Sequence, residues 1–166
     1  MTRRTWILIV GATLMHGILA GVTVDRGLVG VPSWNQVGAV AWANYSRSAD
    51  LGNGLVLYPT LAIGGALLSL AAAVSLILEP KRSRLLTTAV SMAAALAIGG
   101  LLLTLKAAPF MLSLRTIGND NVAGLQQAFN GFWFWSAIRG VLQVLAFAGN
   151  LWSLIEILRS PKLRNV

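Results

Sequence analysis

The sequence contains no cysteine. Structural disulfides, thiolate metal sites and dithiol redox relays are therefore excluded. It contains a single histidine, His16, so no multi-histidine metal site or bis-histidine haem can form within the chain. Neither a metal nor a cofactor is expected. Charge is scarce as well. Charged residues make up 11% of the 166 positions, against about a quarter in a soluble domain. Acidic residues are the rarest of all, 5 against 13 basic ones. Hydrophobic residues fill the space this leaves, at 56%. Such a composition suits lipid as the solvent. A net charge of +8 would suggest nucleic acid on a soluble protein. Here the basic residues sit in short runs between long apolar segments, where they act as topology signals and attract anionic headgroups. Membrane lipids, and not nucleic acid, are the expected partners.

Four apolar stretches reach the length needed to cross a hydrocarbon core of ~30 Å. They run from Thr5 to Val24, Gly54 to Leu78, Leu85 to Leu105 and Phe132 to Leu158. Backbone amides in lipid must be satisfied within their own segment, so each stretch is predicted to be helical. The expected fold is all-α: a polytopic membrane protein, one domain over residues 1–166, built as a four-transmembrane-helix bundle. Arg3, Arg4, Lys81, Arg82, Arg84, Arg159, Lys162 and Arg164 fall on one side of these spans. Arg26, Arg47, Lys106 and Arg115 are spread over longer segments on the other. The positive-inside rule predicts a multi-pass protein of the cell membrane with both termini cytoplasmic. Arg3 and Arg4 before an apolar stretch also resemble a secretion signal. The stretch is long and lacks a small-x-small cleavage site, so a retained first helix is expected.

Two outer connections, about Asp25 to Asn53 and Lys106 to Gly131, are long for links between neighbouring helices. The first carries Trp34, Trp42 and Tyr45, and the second Leu125, Phe129, Phe132 and Trp133. Both are predicted to be long outer loops containing short interfacial helices, either capping the bundle or anchoring it at the headgroups. Small residues recur along helix two (Ala62, Gly65, Ser69 and Ala72, following Tyr58). On helix three Thr88, Ala95 and Gly99 run towards Lys106, with Ser91 beside them. Such faces let membrane helices approach closely, within one bundle or in a homo-oligomer.

Ionisable groups at membrane depth point to function, because burying them is costly. Ser136, Arg139, Gln143, Asn150 and Ser153 share one helical face. Arg139 is expected ~10 Å below the outer end of the fourth span. It either fixes packing by pairing with a loop group or contacts a ligand. His16, midway along the first span, is either a proton donor and acceptor near neutral pH or a neutral histidine bonded across helices. Asp25 and Arg26 close that span and are expected to pair with each other, or one of them with Arg139. Asn53 and Tyr58 open the second span, and Lys106 is placed to snorkel. Arg139, Gln143, Tyr58, Asn53, Asp25 and Arg26 thus form a candidate ligand-binding set for a small aromatic or amphipathic molecule. No nucleophile–base pair, phosphate loop or metal-ligand cluster is visible.

The segments Asp50 to Pro59 (DLGNGLVLYP) and Phe132 to Arg139 (FWFWSAIR) resemble the four-helix integral membrane family that includes the fungal anthrone oxygenases. The layout is similar from about Leu14 to Leu154: a long connection after helix one, Pro109 near the end of helix three, and tryptophan followed by arginine in helix four. The resemblance implies a cofactor-independent enzyme in which a base ionises a phenolic substrate and the carbanion reacts with oxygen. His16 or Tyr58 would then be the base, and Arg139 the group stabilising the oxyanion. Two other classes stand beside this one. The first is a non-enzymatic membrane scaffold or oligomeric subunit. The second is a pore or transporter, which has less support because no inverted repeat or broken helix pair is apparent.

Overall fold

The computed structural model describes residues 1–80 and 83–159. Lys81, Arg82, Lys162 and Arg164, which carry half of the basic cluster used to orient the chain, lie outside the described residues. Six α-helices account for most of the rest: α1 (Arg3–Asp25), α2 (Val31–Val37), α3 (Ala39–Ser48), α4 (Gly54–Ile77), α5 (Arg84–Leu112) and α6 (Val122–Arg159). Local chemistry sets the boundaries. The Thr2 side chain caps α1 by accepting from Thr5 N, and Ser83 caps α5 by accepting from Leu86 N. Gly38 separates α2 from α3 at φ 90°, a conformation that needs glycine. π-Helical turns at Arg26–Gly30 and Ala49–Asn53 join α1 to α2 and α3 to α4. At Gly52 the second turn leaves helical geometry and bends the chain.

Four helical runs are long and apolar enough to cross a membrane: Arg3–Val37, Ala39–Ile77, Arg84–Arg115 and Val122–Arg159. Helices α1, α4, α5 and α6 pack as a ring of antiparallel neighbours in that order. The start of α1, the end of α4, the start of α5 and the end of α6 meet at one end, where Ile9, Leu76, Leu86 and Ile157 form one apolar cluster. The opposite end is capped by α3 and the beginning of α6. Trp42, Leu114, Leu125, Phe129 and Phe132 are buried there together. Large apolar side chains point outwards along the bundle, among them Leu14 at 64%, Leu105 at 70% and Leu158 at 70% exposure. That surface is compatible with lipid, while small residues bring the helices together at mid-height, at Ala66, Ala97 and Ala146. A Cβ on Gly149 would lie 3.1 Å from the Ala93 side chain, so α5 and α6 approach almost backbone to backbone.

Three expectations from the sequence change here. The long outer connections are largely helical. Helix α5 runs past Pro109 to Leu112, and α6 starts at Val122, so only residues 113–121 connect them. The amphipathic stretch expected to form a short separate helix is the first part of α6, with Gln126, Gln127 and Asn130 exposed and Leu125 and Phe129 buried. The predicted small-residue face of helix three is also displaced. Thr88, Ala95 and Lys106 are exposed, and the buried face carries Ala89, Ala93, Ala97 and Gly100. Helix α5 has small residues all round, so size alone does not mark its inner side. On α4 the expected face holds, with Gly65, Ser69 and Ala72 buried. The third change is Arg47, which was read only as a topology charge. It donates to the backbone oxygens of Leu114 (2.8 Å) and Ile117 and to the Asn119 side chain. It thereby pins the α5–α6 connection to α3.

At the other end Glu79 closes the bundle. Its Oε1 accepts from the Thr2 backbone N–H at 2.8 Å and from the Thr5 hydroxyl at 2.7 Å. Partial burial raises the carboxyl pKa, but these hydrogen bonds lower it further, and the net shift is downwards. A carboxyl lowered in the folded state stabilises the fold above its unfolded value, and that contribution is lost as pH falls through the folded value. Thermal stability of the purified chain should therefore fall as pH drops through and below the ordinary glutamate range. Glu79→Gln should flatten that part of the profile, and an unaltered profile in the variant would count against this role.

Candidate functional site

A cavity of about 460 Å³ lies in the capped half of the bundle, between α1, α4, α5 and α6. Its wall is mostly aliphatic, and seven polar side chains (Thr23, Arg26, Asp50, Tyr58, Thr104, Arg139 and Gln143) lie on it. Two of them come from the π-helical turns. Arg26 Nη2 donates to Asp50 Oδ1 in a tight ion pair and to the Tyr58 hydroxyl at 2.9 Å. The guanidinium also stacks over the Tyr58 ring, 4.7 Å from its centroid. This group ties the end of α1 to the start of α4. On the far wall the Thr23 hydroxyl donates to Gln143 Oε1 at 2.7 Å. That bond needs α1 close to α6, and a Cβ on Gly140 would lie only 2.6 Å from the Thr23 methyl.

Arg139 has little to hold it. Its Nη2 donates to Ser136 Oγ at 3.3 Å, a neutral partner one turn back on the same helix. Its Nε is buried without a hydrogen-bond partner among the described residues, as is Asp50 Oδ2. Phe132 lies beneath the guanidinium, 6.0 Å away. Two guanidiniums and one carboxylate line the cavity. The carboxylate is taken by Arg26, so one positive charge is in excess.

The predicted set divides. Arg26, Tyr58, Arg139 and Gln143 do converge on the cavity wall. Asp25 and Asn53 are exposed and do not line it. Arg26 pairs with Asp50, in place of the pairings expected for Asp25. Arg139 is also further from the start of its helix than predicted, because α6 begins ten residues earlier. It is 17 residues past Val122, or ~26 Å along the helix axis. His16 is buried but lies outside the cavity wall. Its Nε2 is 3.2 Å from Ser69 Oγ, and its ring lies against Gly65, where a Cβ would come within 3.0 Å. This is the cross-helix hydrogen bond, the plainer of its two readings. Asn150 and Ser153 extend the polar face of α6 inwards, but each bonds to a carbonyl of its own helix.

Sequence reasoning missed Asp50. A signal was available: only five acidic residues exist in the chain, and this one stands beside an apolar segment. An unpaired carboxylate there is costly, so a basic partner is required. No group of three His, Asp or Glu side chains that could hold a metal ion occurs among the described residues. Compared with known proteins, the chain matches no protein family, no curated protein and no solved structure, so its site is read from its own residues.

Proposed function

We propose that this chain is an integral protein of the cell membrane that binds a small amphipathic molecule between α1, α4, α5 and α6. The observation that carries the reading is Arg139, a cation held by one neutral hydrogen bond on the wall of an apolar cavity. The cavity falls within the ~300–1,000 Å³ usual for small-molecule sites, and its few polar groups converge as such sites require. A photoreactive aromatic amphiphile offered to the purified chain in mild detergent should label buried wall residues such as Leu19 and Met111. Ala62→Trp, which fills the cavity from α4, should remove that label. Labelling spread evenly over the outward-facing leucines, unchanged by Ala62→Trp, would defeat the proposal.

The charge pattern supports an orientation. Arg3, Arg4, Arg84 and Arg159 lie at the Glu79 end, and on the positive-inside rule that end faces the cytoplasm. Because the chain has no cysteine, single replacements report sidedness directly. An impermeant thiol reagent applied to intact cells should label Asp120→Cys and spare Pro80→Cys. The reverse pattern would invert the orientation.

An enzymatic version of the same reading follows from the resemblance to the anthrone oxygenase family. In it a phenolic substrate loses a proton to Asp50, Arg139 holds the oxyanion, the carbanion adds dioxygen, and the resulting hydroperoxide loses water, so that one oxygen atom of O2 stays in the product as a carbonyl. Asp50 is favoured as base over His16, which lies outside the cavity wall, and over Tyr58, which accepts from Arg26. Arg26 holds one oxygen of Asp50, and the other has no hydrogen-bond partner among the described residues. Oxygen uptake dependent on a phenolic substrate should disappear in Asp50→Asn. Uptake that survives the substitution would remove Asp50 from this role.

A further inference from the structure

We infer that the ligand is an acidic amphiphile that reaches the cavity from the lipid side, between α4 and α5. This rests on the small-molecule reading above and adds the sign of the ligand's charge and its route.

The charge follows from the imbalance in the wall. A guanidinium stays protonated in a protein, so Arg139 cannot relieve its position by losing a proton. Asp50 is committed to Arg26, and Ser136 offers only a neutral oxygen. An uncompensated charge within apolar surroundings is expensive. The missing partner is an anion. A planar fork with a free Nε suits a carboxylate or phenolate better than any neutral group.

The route follows from where the wall is thin. Of the wall residues contributed by α1 and α6, Leu19, Phe132 and Gln143 are buried and Val22, Thr23 and Arg139 are half-buried. The wall residues most exposed to the outside belong to α4 and α5: Leu55 and Ile63 on one, Leu102 (61%) and Leu105 (70%) on the other. These two helices pack tightly near Glu79 through Ala72, Ala73, Leu86 and Val90. They share a last buried contact layer at Ala66 and Ala97. Above it the apolar cluster of α5 turns to α3 and α6, and α4 contributes nothing to it. Pro59 sits in α4 at this level, where it removes a helical hydrogen bond. The α4–α5 seam is therefore open along a surface suited to lipid, while Arg26, Asp50 and Tyr58 occupy the capped end of the cavity. An amphiphile in the bilayer can slide its acid group through this seam to Arg139 and leave its apolar chain among the leucines.

The test uses the purified full-length chain in nanodiscs of neutral phosphatidylcholine at mildly alkaline pH. Three probes are compared: a photoreactive long-chain fatty acid, the alcohol of the same chain, and butyrate as an aqueous competitor. The acid should be captured at least about 10-fold better than the alcohol, as a charge-assisted pair requires. Arg139→Gln should bring the acid down to the alcohol's level. Leu102→Trp with Leu105→Trp, placed on the outward surface where folding is not at stake, should reduce capture of the acid by narrowing the seam. Butyrate in excess should not compete. Equal capture of acid and alcohol would overturn the charge assignment while leaving the cavity reading intact. Full competition by butyrate, or undiminished capture in the double tryptophan variant, would overturn the route. Capture of neither long-chain probe would bring down the cavity reading as well.

Discussion

The capped half of this bundle is organised by the need to balance charge in an apolar setting. Arg26 and Asp50 stand 24 positions apart, each within or beside a π-helical turn, and their ion pair draws the two turns together. Tyr58 completes the arrangement by accepting from the same guanidinium. Removing either charge would strand the other, and a broken buried pair costs about 3–5 kcal/mol. The pair thus fixes where α1 ends, where α4 begins and how high the cavity reaches. The second guanidinium, Arg139, has no such partner among the described residues, and this asymmetry gives the cavity its chemical character.

Packing divides the bundle along its length. Near Glu79, large aliphatic side chains from all four long helices form one core. At mid-height the contact narrows to Ala66, Ala97 and Ala146, small residues that allow close approach. At the capped end, aromatic residues of α3 and α6 take over, and α4 is left out of the cluster. Space opens where the second core has ended for α4 and the third has not included it. The cavity follows from that change of partners. Arg47 keeps the arrangement in place by holding the α5–α6 connection against α3.

Much of this was legible in the sequence. Runs of about 20 apolar residues mark spans because few other structures tolerate them, and the four predicted stretches lie within the four long helices apart from Leu78, which caps α4. The polar face of α6 was legible too, since Ser136, Gln143, Asn150 and Ser153 turn inwards as their spacing requires. The ends of the helices were harder to read. Where α6 projects beyond its apolar run, its exposed side is polar and resembles a loop. The inner face of α5 was obscured because small residues surround that helix. Asp50 was hidden for a different reason: its role depends on Arg26, and no helical period connects positions on two separate turns. Asp25 looked like the natural partner because it is adjacent in sequence, but its side chain points away from the cavity wall.

The central claim is that Arg139 carries an uncompensated charge that a bound anion neutralises. Native mass spectrometry of the chain purified in mild detergent tests it most directly, with wild type and Arg139→Gln compared under identical conditions. The account predicts a defined acidic adduct, retained by the wild-type chain and absent from the variant. A wild-type chain that carries only the phospholipids also found on Arg139→Gln, even after incubation with long-chain acids, would contradict it.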